Sequence, residues 1–255
     1  MEAYTSLAPY YEALNDSVDY DGYVSFVLRA LAQYGRGDTQ LLLDLACGTG
    51  ALTRRLIAAG YDTIGVDLSA DMLAVAIERA SEDGLSPLFL QQDMRSFELY
   101  GTVGAVVCGL DSINYLQSTR DVAACFATVH NYLEPNGVFV FDVNTPYKFE
   151  TVYGQQDYVL EADGVVCTWQ NDYNPRTGKC KFYLSFFVEE ADGRYTRLTE
   201  EQTERCYRER TLRKLLVEAG FEVCAVVGDM DMSPCTPTTE RAYYICRCRK
   251  EEEKG

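Results

Sequence analysis

The stretch LLLDLACGTGALTRRL, residues 41–56, decides the fold. LLLDLA (41–46) is a short, continuous apolar run, the pattern of a parallel strand buried on both faces. CGTG follows as a glycine turn, and Ala51 to Ala59 then place Leu52, Leu56 and Ala59 at helical spacing with Gly60 at the end. Strand, glycine turn and helix in sixteen residues open an α/β domain.

Working outward, the alternation repeats. TIGVD (63–67) is a second strand, and Ser69 N-caps a helix carrying Met72, Leu73, Ala76 and Ile77 that stops at Gly84. LFLQQD (88–93) and VGAVVCGL (103–110) are the third and fourth strands. Residues 120–133 are a helix with Val122, Cys125, Phe126, Val129 and Leu133 on one face, PNG follows, and VFVFDV (138–143) is the fifth strand. Upstream, residues 4–20 are aromatic and irregular, and residues 23–34 form a helix through Val24, Val27, Leu28 and Leu31. The rhythm changes over 146–210, where no helix is evident and CKFYLSFFVEE alternates with period two between the turn signals NPRTG (174–178) and ADGR (191–194). It resumes with the helix TLRKLLVEAG, the strand FEVCAVV and the strand RAYYICRC. The expectation is a mostly parallel α/β sheet with helices on both faces and an inserted antiparallel β subdomain.

Composition narrows the function classes. The chain has 255 residues, 23 Lys plus Arg against 39 Asp plus Glu, and a net charge of −16. Such a surface repels phosphate backbones and anionic membranes, so no nucleic-acid or membrane partner is expected. No apolar run approaches the roughly 18 residues that cross a bilayer. No signal peptide is visible at MEAYTSLAPYYEAL, so a cytoplasmic location is expected and the 10 cysteines are read as mostly free, buried thiols. The pair Cys246 and Cys248 lacks a CxxC partner, and with a single histidine in the chain no metal site is expected.

The chemistry gathers at the strand ends. Gly48 and Gly50 let a ligand approach the backbone, and the helix that follows offers free N–H groups. Asp67 ends the second strand, where a carboxylate accepts from ribose hydroxyls, and Asp93 ends the third, where it accepts from an exocyclic adenine amine. The plainer readings are a helix-terminal charge for Asp67 and a loop-capping role for Asp93. GTGALT lacks the third glycine of a pyrophosphate loop, and Asp44 directly before the turn suits a cationic amine better than a diphosphate. An amine, a ribose and an adenine together describe S-adenosylmethionine.

DLACGTG, GVDLS, QQDM and LEPNGVFVFDV together resemble the motifs of the class I S-adenosylmethionine-dependent methyltransferases, with Ala46 where many members carry glycine. The resemblance covers residues 1–147 and 207–248. It implies a Rossmann-like seven-stranded mixed sheet of order 3-2-1-4-5-7-6 with the seventh strand antiparallel. It also implies a methyltransferase domain of residues 1–147 and 207–255, with residues 1–36 as an N-terminal helical lid. The insertion at 148–206 is rich in aromatic residues, which suits an antiparallel β substrate cap and equally the core of a small sheet. By the same resemblance Asp44 and Gly48 hold the methionine end, Asp67 the ribose, and Asp93 with Met94 the adenine. Met72 packs on adenine or ribose, or is a core residue. Ala46, Cys47, Leu68 and Cys108 complete the cofactor contacts, and Tyr11 and Tyr20 close over it or serve the ordinary packing of a surface helix. Asp111, Asn114 and Tyr115 in GLDSINYL face the acceptor or cap the next helix.

The expected reaction is in-line methyl transfer from S-adenosylmethionine to a small-molecule acceptor, leaving S-adenosylhomocysteine, by a monomer or homodimer. No catalytic residue is assigned. His130 is read as structural, and Arg205, Arg208, Arg210 and Arg213 as mostly a solvated face. Two rival readings are a non-catalytic S-adenosylmethionine-binding sensor or partner subunit and an NAD-type oxidoreductase. The missing third glycine and the carboxylates Asp44 and Asp93 count against the second.

Overall fold

Leu42 packs into one helical layer while Leu43 and Leu45 pack into the other, so the first strand is covered on both faces as its apolar run requires. The computed structural model describes residues 8–162 and 164–250. The first seven residues of the expected lid, Asp163 of the insertion, and the tail from 251 lie outside the described residues. Strands β1 (Leu41–Leu45), β2 (Asp62–Asp67), β3 (Phe89–Gln91), β4 (Val103–Cys108), β5 (Leu133–Asn144), β10 (Phe221–Val227) and β11 (Arg241–Cys248) form one sheet. The strands between, β6 (Tyr158–Ala162), β7 (Val165–Asn174), β8 (Lys179–Glu189) and β9 (Tyr195–Arg205), form a second, antiparallel sheet. The order of the larger sheet is β10-β11-β5-β4-β1-β2-β3. With β10 and β11 counted as its sixth and seventh strands, this reads 3-2-1-4-5-7-6 from the other edge. β11 runs antiparallel to both neighbours, and the remaining pairs are parallel.

Helices α2 (Tyr20–Tyr34) and α3 (Ala51–Ala58) cover one face through Phe26, Val27, Leu31, Leu52 and Leu56. Helices α5 (Thr119–Tyr132) and α6 (Glu209–Glu218) cover the other through Phe126, Val129, Leu212 and Leu216. Helix α4 (Ala70–Glu82) follows β2. An aromatic column runs through the second layer: the rings of Phe139 and Phe141 stack at 4.8 Å and those of Phe141 and Tyr244 at 4.7 Å. Each such buried ring stabilises the fold by roughly 1.5–3 kcal/mol relative to exposure.

Three boundaries differ from the sequence reading. α2 starts at Tyr20 instead of residue 23 because the Asp19 carboxylate accepts from Gly22 N at 2.8 Å and caps it. β5 starts at Leu133, before the PNG turn signal, because Leu133 already pairs with Val103, and Asn136 takes a left-handed φ of 61° inside the strand. A π-helical turn at Lys148–Tyr153 interrupts the region read as free of helix. Phe149 and Tyr153 hold it by packing on Cys180 and Phe182 of the small sheet. The inner face of that sheet carries Cys167, Cys180, Phe182, Leu184 and Phe186 in the expected alternation.

Helix α1 (Tyr11–Leu14) joins the two sheets. Leu14 packs on Val165, Leu184 and Phe186 of the small sheet, and Glu12 pairs with Arg54 of α3 at 2.9 Å. All ten cysteines are free thiols. Among the described residues no helix is long and apolar enough to cross a membrane, and no cluster of His, Cys, Asp and Glu is placed to hold a metal.

Candidate functional site

The turn after β1 is built from left-handed residues: Ala46 at φ 59°, Gly48 at 54° and Gly50 at 70°. Glycine adopts this backbone freely, whereas for Ala46 it costs roughly 1–2 kcal/mol. Cys47 N donates to Val66 O at 3.0 Å and Gly50 N to Cys47 O at 2.9 Å, which ties the turn to β2. A Cβ built on Gly48 would meet no atom within 4 Å, whereas one on Gly65 would lie 2.5 Å from the Phe89 ring. Gly65 therefore serves packing between strands, and Gly48 faces open space.

That space is a cavity of about 330 Å³ at the carboxyl ends of β1, β2, β3 and β4. The size lies within the roughly 300–1,000 Å³ of small-molecule sites, and strand ends of an open α/β sheet are where such sites occur. Asp44, Asp67 and Asp93 all line it, as do Ala46, Cys47, Gly48, Leu68, Met72, Met94, Tyr11 and Tyr20. One expected contact falls elsewhere. The Cys108 side chain is fully buried in the core of the α5 layer, because the last residue of β4 points down and its successors Gly109 and Leu110 form the wall.

The three carboxylates are held differently. Asp44 is 2% exposed and accepts from Thr53 Oγ1 at 2.6 Å. Burial pushes its carboxyl up to about 7, with the Thr53 bond opposing the rise and Asp67 adding to it. Asp67 Oδ2 accepts from Gly48 N and its Oδ1 from Ser69 N, each at 2.8 Å, so this side chain joins the glycine turn to the start of α4. Burial raises its carboxyl too, against the pull of those N–H groups. The Asp93 carboxylate is engaged by Arg95, whose Nε lies 2.9 and 3.0 Å from its two oxygens, and it sits below the usual carboxylate range for that reason. Arg95 N also donates to Asp93 at 2.8 Å, so the loop-capping arrangement is present.

Two tyrosines of the N-terminal segment line the cavity. The Tyr20 ring lies under the Arg55 guanidinium at 4.9 Å, its buried hydroxyl has no hydrogen-bond partner, and burial pushes its pKa up to about 12. Tyr11 is raised well above the ordinary phenol value by burial, with Tyr20, Asp111 and Asp67 adding to the rise.

The segment after β4 departs from expectation. Asp111 pairs with Arg241 at 2.6 Å and accepts from Asn144 Nδ2 at 3.0 Å. Asn114 is fully buried, donates to Arg205 O at 2.8 Å and accepts from Asn144 N at 2.9 Å. Both side chains serve internal bonds, and neither caps the following helix, because Ser118 does so by accepting from Asp121 N at 3.1 Å. Only Tyr115 of the three lines the cavity. Its hydroxyl donates to Gln202 Oε1 at 2.8 Å.

Gln117 lines the cavity as well and was not singled out from sequence, since a glutamine before a helix cap carries no pattern. Its Nε2 donates to Thr203 O at 2.6 Å, while its buried Oε1 has no partner. Arg205 is no solvated side chain: its Nη1 donates to Gln117 O at 2.8 Å. Arg213 does lie on a solvated face, paired with Glu209 at 2.6 Å. His130 packs edge-on to Phe221 at 5.4 Å and takes no part in the cavity.

Comparison with known proteins agrees with this geometry. The sequence pattern of the methyltransferase domain family matches residues 42–137. A crystal structure of an S-adenosylmethionine-dependent methyltransferase from Clostridium acetobutylicum ATCC 824 superposes with a TM-score of 0.85 at 31% identity, covering 94% of this chain and 96% of the other. A protein of Geobacillus sp. (strain WCH70) that carries a provisional methyltransferase name is 31% identical over 96% of this chain and 99% of its own length. The dTDP-3-amino-3,6-dideoxy-alpha-D-glucopyranose N,N-dimethyltransferase of Streptomyces fradiae is 31% identical over 71% of this chain and 72% of its own.

Proposed function

Because this chain belongs to the class I S-adenosylmethionine-dependent methyltransferases, with S-adenosylmethionine as cofactor, we propose that it methylates an amine on a small polar molecule. The oxidoreductase reading ends with that membership. The acidic cavity supports the cofactor's place: three carboxylates stand at neighbouring strand ends around a glycine whose missing side chain leaves open space. The similarity to an amino-sugar N,N-dimethyltransferase over most of that enzyme supports an amine acceptor.

When bound, the cofactor supplies an activated methyl group on a sulfonium. The chain's own residues bind, align and exclude water. Asp44 meets the α-ammonium of the methionine end, and Gly48 leaves room beside it. Asp67 receives the ribose hydroxyls, Asp93 and Met94 flank the adenine, and Met72 and Leu68 pack against the nucleoside. Tyr11 and Tyr20 close the roof from the N-terminal segment, here proposed as a lid, and the inserted sheet at 148–206 is proposed as the acceptor cap.

The test is transfer of tritiated methyl from S-adenosylmethionine to a panel holding nucleotide-linked amino sugars, amino acids, phenols, carboxylic acids, protein and RNA. Label on a small amine is expected. Label only on oxygen acceptors or macromolecules rejects the proposal, and tight cofactor binding with no labelled product from any member supports the sensor instead.

A pH dependence follows from Asp44. Its carboxyl, raised to about 7 by burial, must be ionised to receive an ammonium. Binding therefore releases a proton below that pH, and affinity for S-adenosylmethionine rises from pH 5.5 to 7 by up to about tenfold per unit. Calorimetry in buffers of different ionisation enthalpy reads the proton directly. Asp44→Asn should abolish both the slope and the release, and a slope that persists in this variant would place the titration elsewhere.

A further inference from the structure

We propose that Asp142, near the end of β5, is a positioning residue for cofactor binding that acts through the backbone of Leu110 and Asp111. The proposal rests on the cavity being the cofactor site. Asp142 is fully buried and does not line the cavity. Its Oδ1 accepts from Tyr23 Oη at 2.6 Å and from Leu110 N at 2.8 Å, and its Oδ2 accepts from Asp111 N at 2.8 Å and from Arg241 Nη1.

The two amides it holds belong to consecutive left-handed residues, Leu110 at φ 53° and Asp111 at φ 55°. Neither is glycine, so each is strained and persists only where the surroundings impose it. One carboxylate imposes both. It is itself held by a tyrosine of α2 and an arginine of β11, which belong to the layered core and not to the loop. The segment so fixed supplies Gly109, Leu110, Ser112, Tyr115, Leu116 and Gln117 to the cavity wall. An ordinary buried ion pair would need only Arg241 opposite Asp142. Two backbone N–H groups at 2.8 Å show that the same carboxylate also sets the direction in which the wall leaves β4.

Asp142→Asn keeps the shape and turns one acceptor oxygen into a donor that faces an N–H group. The probes are amide hydrogen exchange of the protein alone and calorimetry with S-adenosylmethionine. The expected result is exchange at least tenfold faster at Leu110 and Asp111, unchanged exchange in the β8 and β9 ladder, and affinity for S-adenosylmethionine lowered about fivefold or more. Unchanged exchange at the two amides overturns the proposal, and so does faster exchange with unchanged affinity. A wild-type protein that binds no S-adenosylmethionine overturns the functional reading and this role with it. A wild type that binds it beside a variant that binds equally well overturns this role alone. Should Asp142→Asn fail to fold, Tyr23→Phe removes one of the two bonds to Oδ1, with exchange at Leu110 expected to rise two- to fivefold and no change overturning the role.

Discussion

Replacing Arg241 by methionine lowers the unfolding free energy by about 3–5 kcal/mol, the usual consequence of stranding a buried charge. The guanidinium stands between Asp111, at 2.6 Å, and Asp142, and no other cation bonds to either carboxylate among the described residues. Burial alone would raise Asp111, and it is Arg241 first and Lys148 second that bring it below the usual carboxylate value. Methionine fills much of the same volume but leaves both carboxylates without their shared cation. At roughly 2–4 °C per kcal/mol for a domain of this size, the melting temperature falls by roughly 10 °C. The sign with pH is definite. A carboxyl held below its unfolded value stabilises the native state above that value and loses this effect as the pH falls through the native one. The gap between variant and wild type is therefore widest near neutrality and narrows toward pH 4, where Asp111, no longer held down by the guanidinium, takes up a proton. Urea denaturation at pH 7.5 and 4.5 measures both quantities, and a variant with the wild-type midpoint at the higher pH would refute the account.

Asp67→Ala weakens S-adenosylmethionine binding at least tenfold. Two effects add. The carboxylate proposed for the ribose hydroxyls is gone, and hydrogen bonds to a charged group contribute about 1.5–3 kcal/mol each. Gly48 N and Ser69 N also lose their shared acceptor, so the glycine turn and the start of α4 are no longer fixed to each other. Asp67→Asn separates the contributions, because an amide oxygen still accepts from one N–H. Its affinity should fall between those of the wild type and the alanine variant. Equal calorimetric dissociation constants for wild type and Asp67→Ala would show that the ribose lies elsewhere.

Much of this was legible because it rests on local physics. The apolar runs of β10 and β11 coincide with the observed strands residue for residue. Ser69 was readable as a cap because a serine before an apolar helix face has a backbone amide to satisfy, here Met72 N at 3.2 Å. The acidic strand ends were visible because topology brings the carboxyl ends of parallel strands to one rim. What escaped depends on groups far apart in the chain. Arg241 meets Asp142 across 99 positions, and no spacing rule anticipates it. The turn at Lys148–Tyr153 has no helical periodicity of its own and exists because Phe149 and Tyr153 find the aromatic face of the small sheet. Asp111 and Asn114 looked available to a substrate because they follow β4, yet the second sheet supplies β9, whose Arg205 and Glu204 absorb Asn114 and the neighbouring Asn144.

The short helix at Tyr11–Leu14 has a mechanical consequence. Four residues cannot sustain a helix in water, so its order is borrowed from Arg54 on one side and from the Leu14 pocket on the other. Tyr11 therefore keeps its place in the cavity wall only while the layers of both sheets grip this one turn together.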